Sequence, residues 1–150
     1  STIKTIELNG EQIKEAFAPM SVTMTLDDEI DNSRGDMIVR ENNVPEVGQD
    51  LEVLVTWMND KPLQSRTKLI VKHTTNECMA MVKELKYKVD INTLHRIEDI
   101  EKLDMNDIGR ITLRTSKPLF YDTYKKNRQT GSLIIIDEQT NETIGAGMII

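Results

Sequence analysis

Apolar and polar residues alternate along most of this chain with the two-residue period of a β-strand. Residues 21–26 place Val22, Met24 and Leu26 on one face. Leu51, Val53, Val55 and Trp57 share a face of the next strong segment, with Leu54 and Met58 on the other. Residues 67–73 form a further β-rich run. In residues 79–89 the odd positions read Met79, Met81, Lys83, Leu85, Tyr87 and Val89, which predicts a long strand with Glu84, Lys86 and Lys88 on its wet face. Residues 111–114, 133–136 and 143–150 complete the set.

Turn chemistry separates these runs. Asn9-Gly10 is a tight hairpin dipeptide, because both residues tolerate positive φ. Arg34-Gly35-Asp36, Gly109, Gly131 and residues 137–141 break the other strands. Two stretches carry a helical expectation. One is residues 12–17, stopped by Pro19. The other is a short helix inside a long loop, where Leu94, Ile97, Ile100 and Leu103 recur every third residue. Residues 41–49 hold Asn42, Asn43, Pro45 and Gly48 and read as a linker between two β modules. Short strands at this spacing predict an all-β chain of barrels or sandwiches.

Composition changes the picture little. The 150 residues are 38% apolar and 29% charged, which fits thin cores with much solvated edge. The net charge of −6, without a stripe of Lys and Arg, disfavours nonspecific nucleic-acid binding. The densest basic run is only Lys125, Lys126 and Arg128. The single cysteine, Cys78, can form no internal disulfide, and this points to a reducing, cytoplasmic setting. No apolar run reaches the roughly 18 residues a membrane helix needs, so no membrane contact is expected.

The candidate chemistry is sparse, and no catalytic, cofactor-binding or metal-binding residue is expected in this chain. Gly145-Ala146-Gly147 lies in the last strand run with no helix behind it, so close backbone packing is expected there, not a phosphate cradle. The acidic cluster Asp27, Asp28, Glu29 and Asp31 lacks the ligand order of a calcium loop and reads as a solvated turn. His73 and His95 are expected at the surface, and Cys78 as a buried, inert thiol. Trp57 and the methionines at strand spacing are expected in the core. Residues 121–131 are the richest polar segment, and read either as a long exposed hairpin loop or as a contact with a protein partner.

In order, several segments resemble a known family. They are residues 10–16, 18–26, Asp28-Glu29-Ile30-Asp31 and Ser33-Arg34-Gly35-Asp36. Trp57-Met58, Pro62-Leu63, Tyr87, Asn92-Thr93-Leu94, Asn106-Asp107-Ile108-Gly109 and Lys117-Pro118-Leu119 continue the likeness. The ending is its most specific part: Tyr124, Asn127-Arg128, Thr130-Gly131-Ser132, Ile135-Ile136-Asp137, Thr140-Asn141 and residues 143–149. Together they resemble the later part of the large, GTPase-bearing subunit of bacterial sulfate adenylyltransferase.

The resemblance implies two small antiparallel β-barrels of the translation-factor second- and third-domain type. Residues 1–43 would be a second-domain barrel lacking its first strands, and residues 44–150 a complete third-domain barrel. It implies GTP and magnesium in a GTPase domain, and ATP at a catalytic small subunit that makes adenylyl sulfate in sulfate assimilation. No residue here matches the family's phosphate-binding loop or its guanine-specifying Asn-Lys-x-Asp, so no GTP-site residue carries over. The partners implied are the small subunit and the chain's own GTPase domain, with self-association through open barrel edges. Tyr124, Asn127, Arg128 and Gly131 are the candidate interface. Two other readings stay open: a translation-factor fragment and a free-standing protein-interaction barrel.

Overall fold

The computed structural model describes residues 1–150 and holds twelve β-strands and no helix. Contacts divide the chain into two units, Ser1–Ser33 and Arg34–Ile150, with residues 34–43 grouped in the larger one.

The smaller unit is a three-stranded antiparallel sheet of β1 (Ile3–Leu8), β2 (Glu11–Ile13) and β3 (Thr23–Leu26), with β1 in the middle. Asn9 and Gly10, at φ 53° and 87°, make the two-residue turn that pairs Leu8 with Glu11. The helix expected over residues 12–17 does not form. Gln12 and Ile13 lie in β2, opposite Glu7 and Ile6. Six residues are too few for an unsupported helix, whereas the hairpin supplies partners at once. Val22 and Leu26 are half-buried and Met24 is exposed, and no residue of this unit is fully buried. It is an open sheet, with β2 and β3 at its edges.

The larger unit contains β4 (Glu46–Trp57), β5 (Leu63–Gln64), β6 (Lys68–His73), β7 (Asn76–Val89), β8 (Arg96–Glu98), β9 (Lys102–Leu103), β10 (Ile108–Tyr121), β11 (Ser132–Ile136) and β12 (Thr143–Ile149). The order β4-β12-β11-β6-β7-β10 returns to β4, and every pairing is antiparallel. That ring is a closed barrel, which leaves its six strands without free edges. The alternation in β4 builds its core: Leu51, Val53, Val55 and Trp57 point inward, none more than 2% exposed. They meet Leu69 and Val71 of β6, Ile111 and Leu113 of β10, and Ile135 of β11. Trp57 also donates its indole N–H to Lys61 O at 2.8 Å, so its one polar atom is satisfied.

Three expectations are corrected. In β7 the inward residues are Cys78, Ala80 and Val82, and then Leu85. The ladder to β10 slips between Val82 and Glu84 and again between Leu85 and Tyr87. Each bulge adds a residue and flips the phase, so Met79 and Met81 face outward. Leu94, Ile97, Ile100 and Leu103 form no helical stripe. Leu94 and Asp99 have positive φ, at 59° and 54°, and only Ile100 and Leu103 pack on the core. The linker expected over residues 41–49 is partly strand, because β4 starts at Glu46, opposite Tyr121. The late turn of β10 explains that reach. A bulge between Arg114 and Leu119 accommodates Pro118, and the strand then resumes pairing at Gly48.

Small residues let the strands close. A Cβ on Gly109 would stand 2.6 Å from Leu103 Cδ2, and one on Gly147 would strike Val53 and Leu133. The Gly145-Ala146-Gly147 run is therefore close packing inside β12, as its sequence context suggests.

Leu113 is fully buried at the centre of this ring. Leu113→Ala should lower the unfolding free energy of the larger unit by about 2–5 kcal/mol, read as a lower urea midpoint at unchanged slope. A loss under about 1 kcal/mol would mean that this core is not packed as described.

Candidate docking surface

The segment joining β10 to β11 is built from its own polar residues. It is not a hairpin loop, because β10 and β11 are not neighbours in the sheet. It crosses one end of the barrel and is tied down throughout. The Lys126 and Asn127 N–H groups donate to Thr123 O at 2.9 and 3.0 Å. The Gly131 N–H donates to Asn127 O at 2.8 Å, and the Gln129 N–H to Asn127 Oδ1 at 3.0 Å. Tyr124 N–H donates to Ile149 O, and Ile149 N–H to Gly131 O, both at 2.8 Å. The loop is thereby continuous with β12.

Beneath it lies a buried polar cluster that the sequence pattern does not reveal. Asp122 accepts from Thr130 Oγ1 at 2.7 Å and pairs with Lys126 Nζ at 2.6 Å. The Lys126 ammonium, and then the Thr130 hydroxyl, hold the Asp122 carboxyl below its ordinary range. His73 was expected at the surface and is only 1% exposed. It falls on the inward phase of β6 with Leu69 and Val71, and its Nε2–H donates to Thr130 O at 2.7 Å. Cys78 is buried, and burial pushes its thiol up.

The four interface residues occupy distinct positions. Gly131 is buried, and a Cβ there would overlap the Tyr124 backbone and stand 2.6 Å from Asn127 O. Asn127 is exposed, yet its carbonyl and side-chain oxygen organise the turn. Tyr124 is half-buried, and the Arg128 guanidinium lies 6.0 Å from its ring centroid. Tyr124 and Gln129 border an open groove of about 640 Å³ on the outer barrel face, floored by Ile134, Ala146 and Met148, with Lys72 on its rim. Sequence reasoning missed this groove. It is assembled across β4, β12, β11 and β6, and only the pairing register brings its residues together.

A second polar surface runs along β10. Glu52 accepts from Lys86 and Arg110, which hold its carboxyl down, the Lys86 bond contributing most. Asp50 pairs with Arg114 at 2.9 Å and Lys83 at 3.4 Å, and Lys88 with Asp107 at 3.2 Å. These pairs are half-exposed and stitch β4, β10 and β7 together on the solvent side, each worth about 1 kcal/mol or less.

Gly145 and Gly147 are filled against Thr56, Val53 and Leu133, which leaves no phosphate cradle. No group of three or more His, Cys, Asp or Glu side chains stands close enough to hold a metal ion.

A closed six-stranded antiparallel barrel of this kind is a translation-factor type of fold. The chain belongs to the GTP-eEF1A C-terminal domain-like family, whose model matches residues 50–150. Over its whole length it is 45% identical to the bifunctional enzyme CysN/CysC of Rhodopirellula baltica, covering 23% of that protein. Sulfate adenylyltransferase subunit 1 of Bacteroides thetaiotaomicron is 41% identical, again across the whole chain, which covers 33% of it. The chain thus spans a quarter to a third of the length of these relatives. Among solved structures, Sup35 complexed with GDP aligns with 99% of the chain at a TM-score of 0.80, the chain covering 36% of it. At 14% identity that likeness concerns the fold alone.

Two outcomes follow. Gly131→Ala should destabilise the larger unit by about 1–3 kcal/mol, since the added Cβ must displace backbone; an unchanged thermal midpoint would contradict the tight approach. Asp122→Asn should cost about 1 kcal/mol at neutral pH. Because the folded carboxyl is held low, the wild-type advantage is present above the ordinary value of 3.8. It fades as pH falls through the lowered value, so the two urea midpoints should converge in acid.

Proposed function

We propose that this chain is the barrel region of a sulfate adenylyltransferase large subunit and works there as a docking element without chemistry of its own. Similarity across all 150 residues, at 41% identity, to a protein named sulfate adenylyltransferase subunit 1 is the observation that carries this reading. In this reading the parent complex makes adenylyl sulfate from ATP and sulfate in the cytoplasm. GTP and magnesium would be held by a GTPase domain outside these residues. The barrel joins that domain to the catalytic small subunit and passes on the nucleotide state through contacts that differ between two arrangements. The open edges β2 and β3 take on a further strand, which in the isolated chain comes from a second copy.

The loop over residues 124–131 with its adjoining groove is the first candidate for the small-subunit contact. It is rigid before binding, so little ordering entropy is lost on association. It also presents a tyrosine under an arginine, the residue types that dominate interface energetics. In the full large subunit, Tyr124→Ala and Arg128→Ala should each weaken small-subunit binding about fivefold or more and lower GTP-stimulated adenylyl sulfate synthesis in step. Unchanged affinity and unchanged stimulation in both variants would remove this loop from the interface.

A further inference from the structure

Strand β8 is an appendage of the barrel with an unfinished ladder. Strand β8 pairs with β7 on one side and with nothing on the other. It follows a tight loop, in which Asp90 Oδ1 accepts from the Asn92 and Thr93 N–H groups at 2.8 and 3.0 Å. Asp90 N–H donates to His95 O at 2.9 Å. Antiparallel ladders alternate, so Ile97, two residues on and opposite Lys88, turns its backbone groups toward β7. Arg96 and Glu98 turn theirs outward, to the open edge.

The side chains on this edge read the same in both directions with the signs reversed. The order is His95, Arg96, Ile97, Glu98, Asp99. None of the four charged or titratable residues makes an ion pair within the chain. Arg96 only stacks over Tyr87, at 4.7 Å from the ring centroid. The neighbouring apolar residues are uncovered: Ile97 is 40% exposed, Ile91 67% and Leu94 77%. Leu94 holds positive φ in doing so.

We propose that β8 is a self-pairing edge, which joins a second copy of this chain in a two-fold antiparallel ladder centred on Ile97. In that register Arg96 stands opposite Glu98 of a second copy, and Glu98 opposite its Arg96. The same two residues carry the outward backbone groups, so hydrogen-bond register and charge register agree. His95 opposite Asp99 of a second copy continues the antisymmetry at each end. Ile97 meets Ile97 of a second copy at a non-hydrogen-bonded position, where the strands' side chains approach most closely. Charged residues commonly blunt an edge strand, and they do so when like charges would face each other or a charge points inward. Here pairing brings opposite charges together and covers an isoleucine. The contact is short and therefore weak, and screening by salt weakens it further. It is separate from any association through β2 and β3, and it stands whether or not the adenylyltransferase reading holds.

Cross-linking tests it. Ile97→Cys places two thiols across the two-fold axis at a spacing a disulfide spans, while Cys78 stays buried. Under mild oxidation at low salt, Ile97→Cys should form covalent dimer at least tenfold faster than the exposed reference Glu138→Cys. Adding Arg96→Glu should abolish that excess, and so should adding Glu98→Arg. Mixing these two doubly substituted chains should restore it, because each now faces its opposite; a folding defect cannot be rescued this way. Cross-linking of Ile97→Cys no faster than the reference, or insensitive to either charge reversal, or unrestored in the mixture, would overturn the proposal.

Discussion

Strand β10 bears the constraint on which the larger unit depends. It is hydrogen-bonded to β4 on one side and β7 on the other, and only this double pairing turns a curled sheet into a closed ring. The strand must therefore satisfy two ladders of different register at once. It does so with bulges opposite β7 and a larger irregularity opposite β4, where Thr115 turns inward and donates to Lys117 O at 2.8 Å. The closure also demands room. Gly109 of β10 lets Leu103 reach the core, and Gly147 of β12 lets Val53 do the same. Outside, Asp50 and Glu52 clamp the same three strands with Lys83, Lys86, Arg110 and Arg114. Hydrophobic burial inside and shared carboxylates outside thus act on the same closing strand.

The candidate docking surface takes its order from this ring. The loop across residues 122–131 begins where β10 ends, and its backbone is bonded to Ile149 of β12 and its carbonyl at Thr130 to His73 of β6. A loop held by three separate strands has little freedom left to lose on binding. That suits the docking role proposed for it. The smaller unit contrasts with it: three strands, two open edges and no enclosed residue. Without an enclosed core it has little burial of its own to stabilise it.

Much of this was legible in the order of residues. The alternation of Leu51, Val53, Val55 and Trp57 points to β4 directly, because a regular strand keeps its phase. The Asn9-Gly10 turn is equally plain, because its chemistry is local. The phase of β7 was not legible, since a bulge leaves no period behind and Met79 and Met81 continue a plausible apolar series. His73 and Asp122 were missed as buried polar residues for a related reason. Their partner, Thr130, lies 57 residues beyond His73, and only the barrel brings them together. The spurious helix over residues 94–103 arose because a three-residue recurrence in a turn-rich segment imitates a helical face. In the candidate interface, Tyr124, Asn127, Arg128 and Gly131 cluster in sequence and also in space. What the sequence could not separate is that Asn127 and Gly131 shape the loop while Tyr124 and Arg128 are presented by it.

The central claim is that this barrel docks to a catalytic partner and does no chemistry itself. Isothermal titration of the chain with the small subunit of a sulfate adenylyltransferase tests it most directly, with GTP turnover and adenylyl transfer by the chain alone followed in parallel. The account predicts saturable binding at one barrel per small subunit and no turnover by the chain. Absence of binding at high micromolar concentration, or turnover by the chain alone, would contradict it.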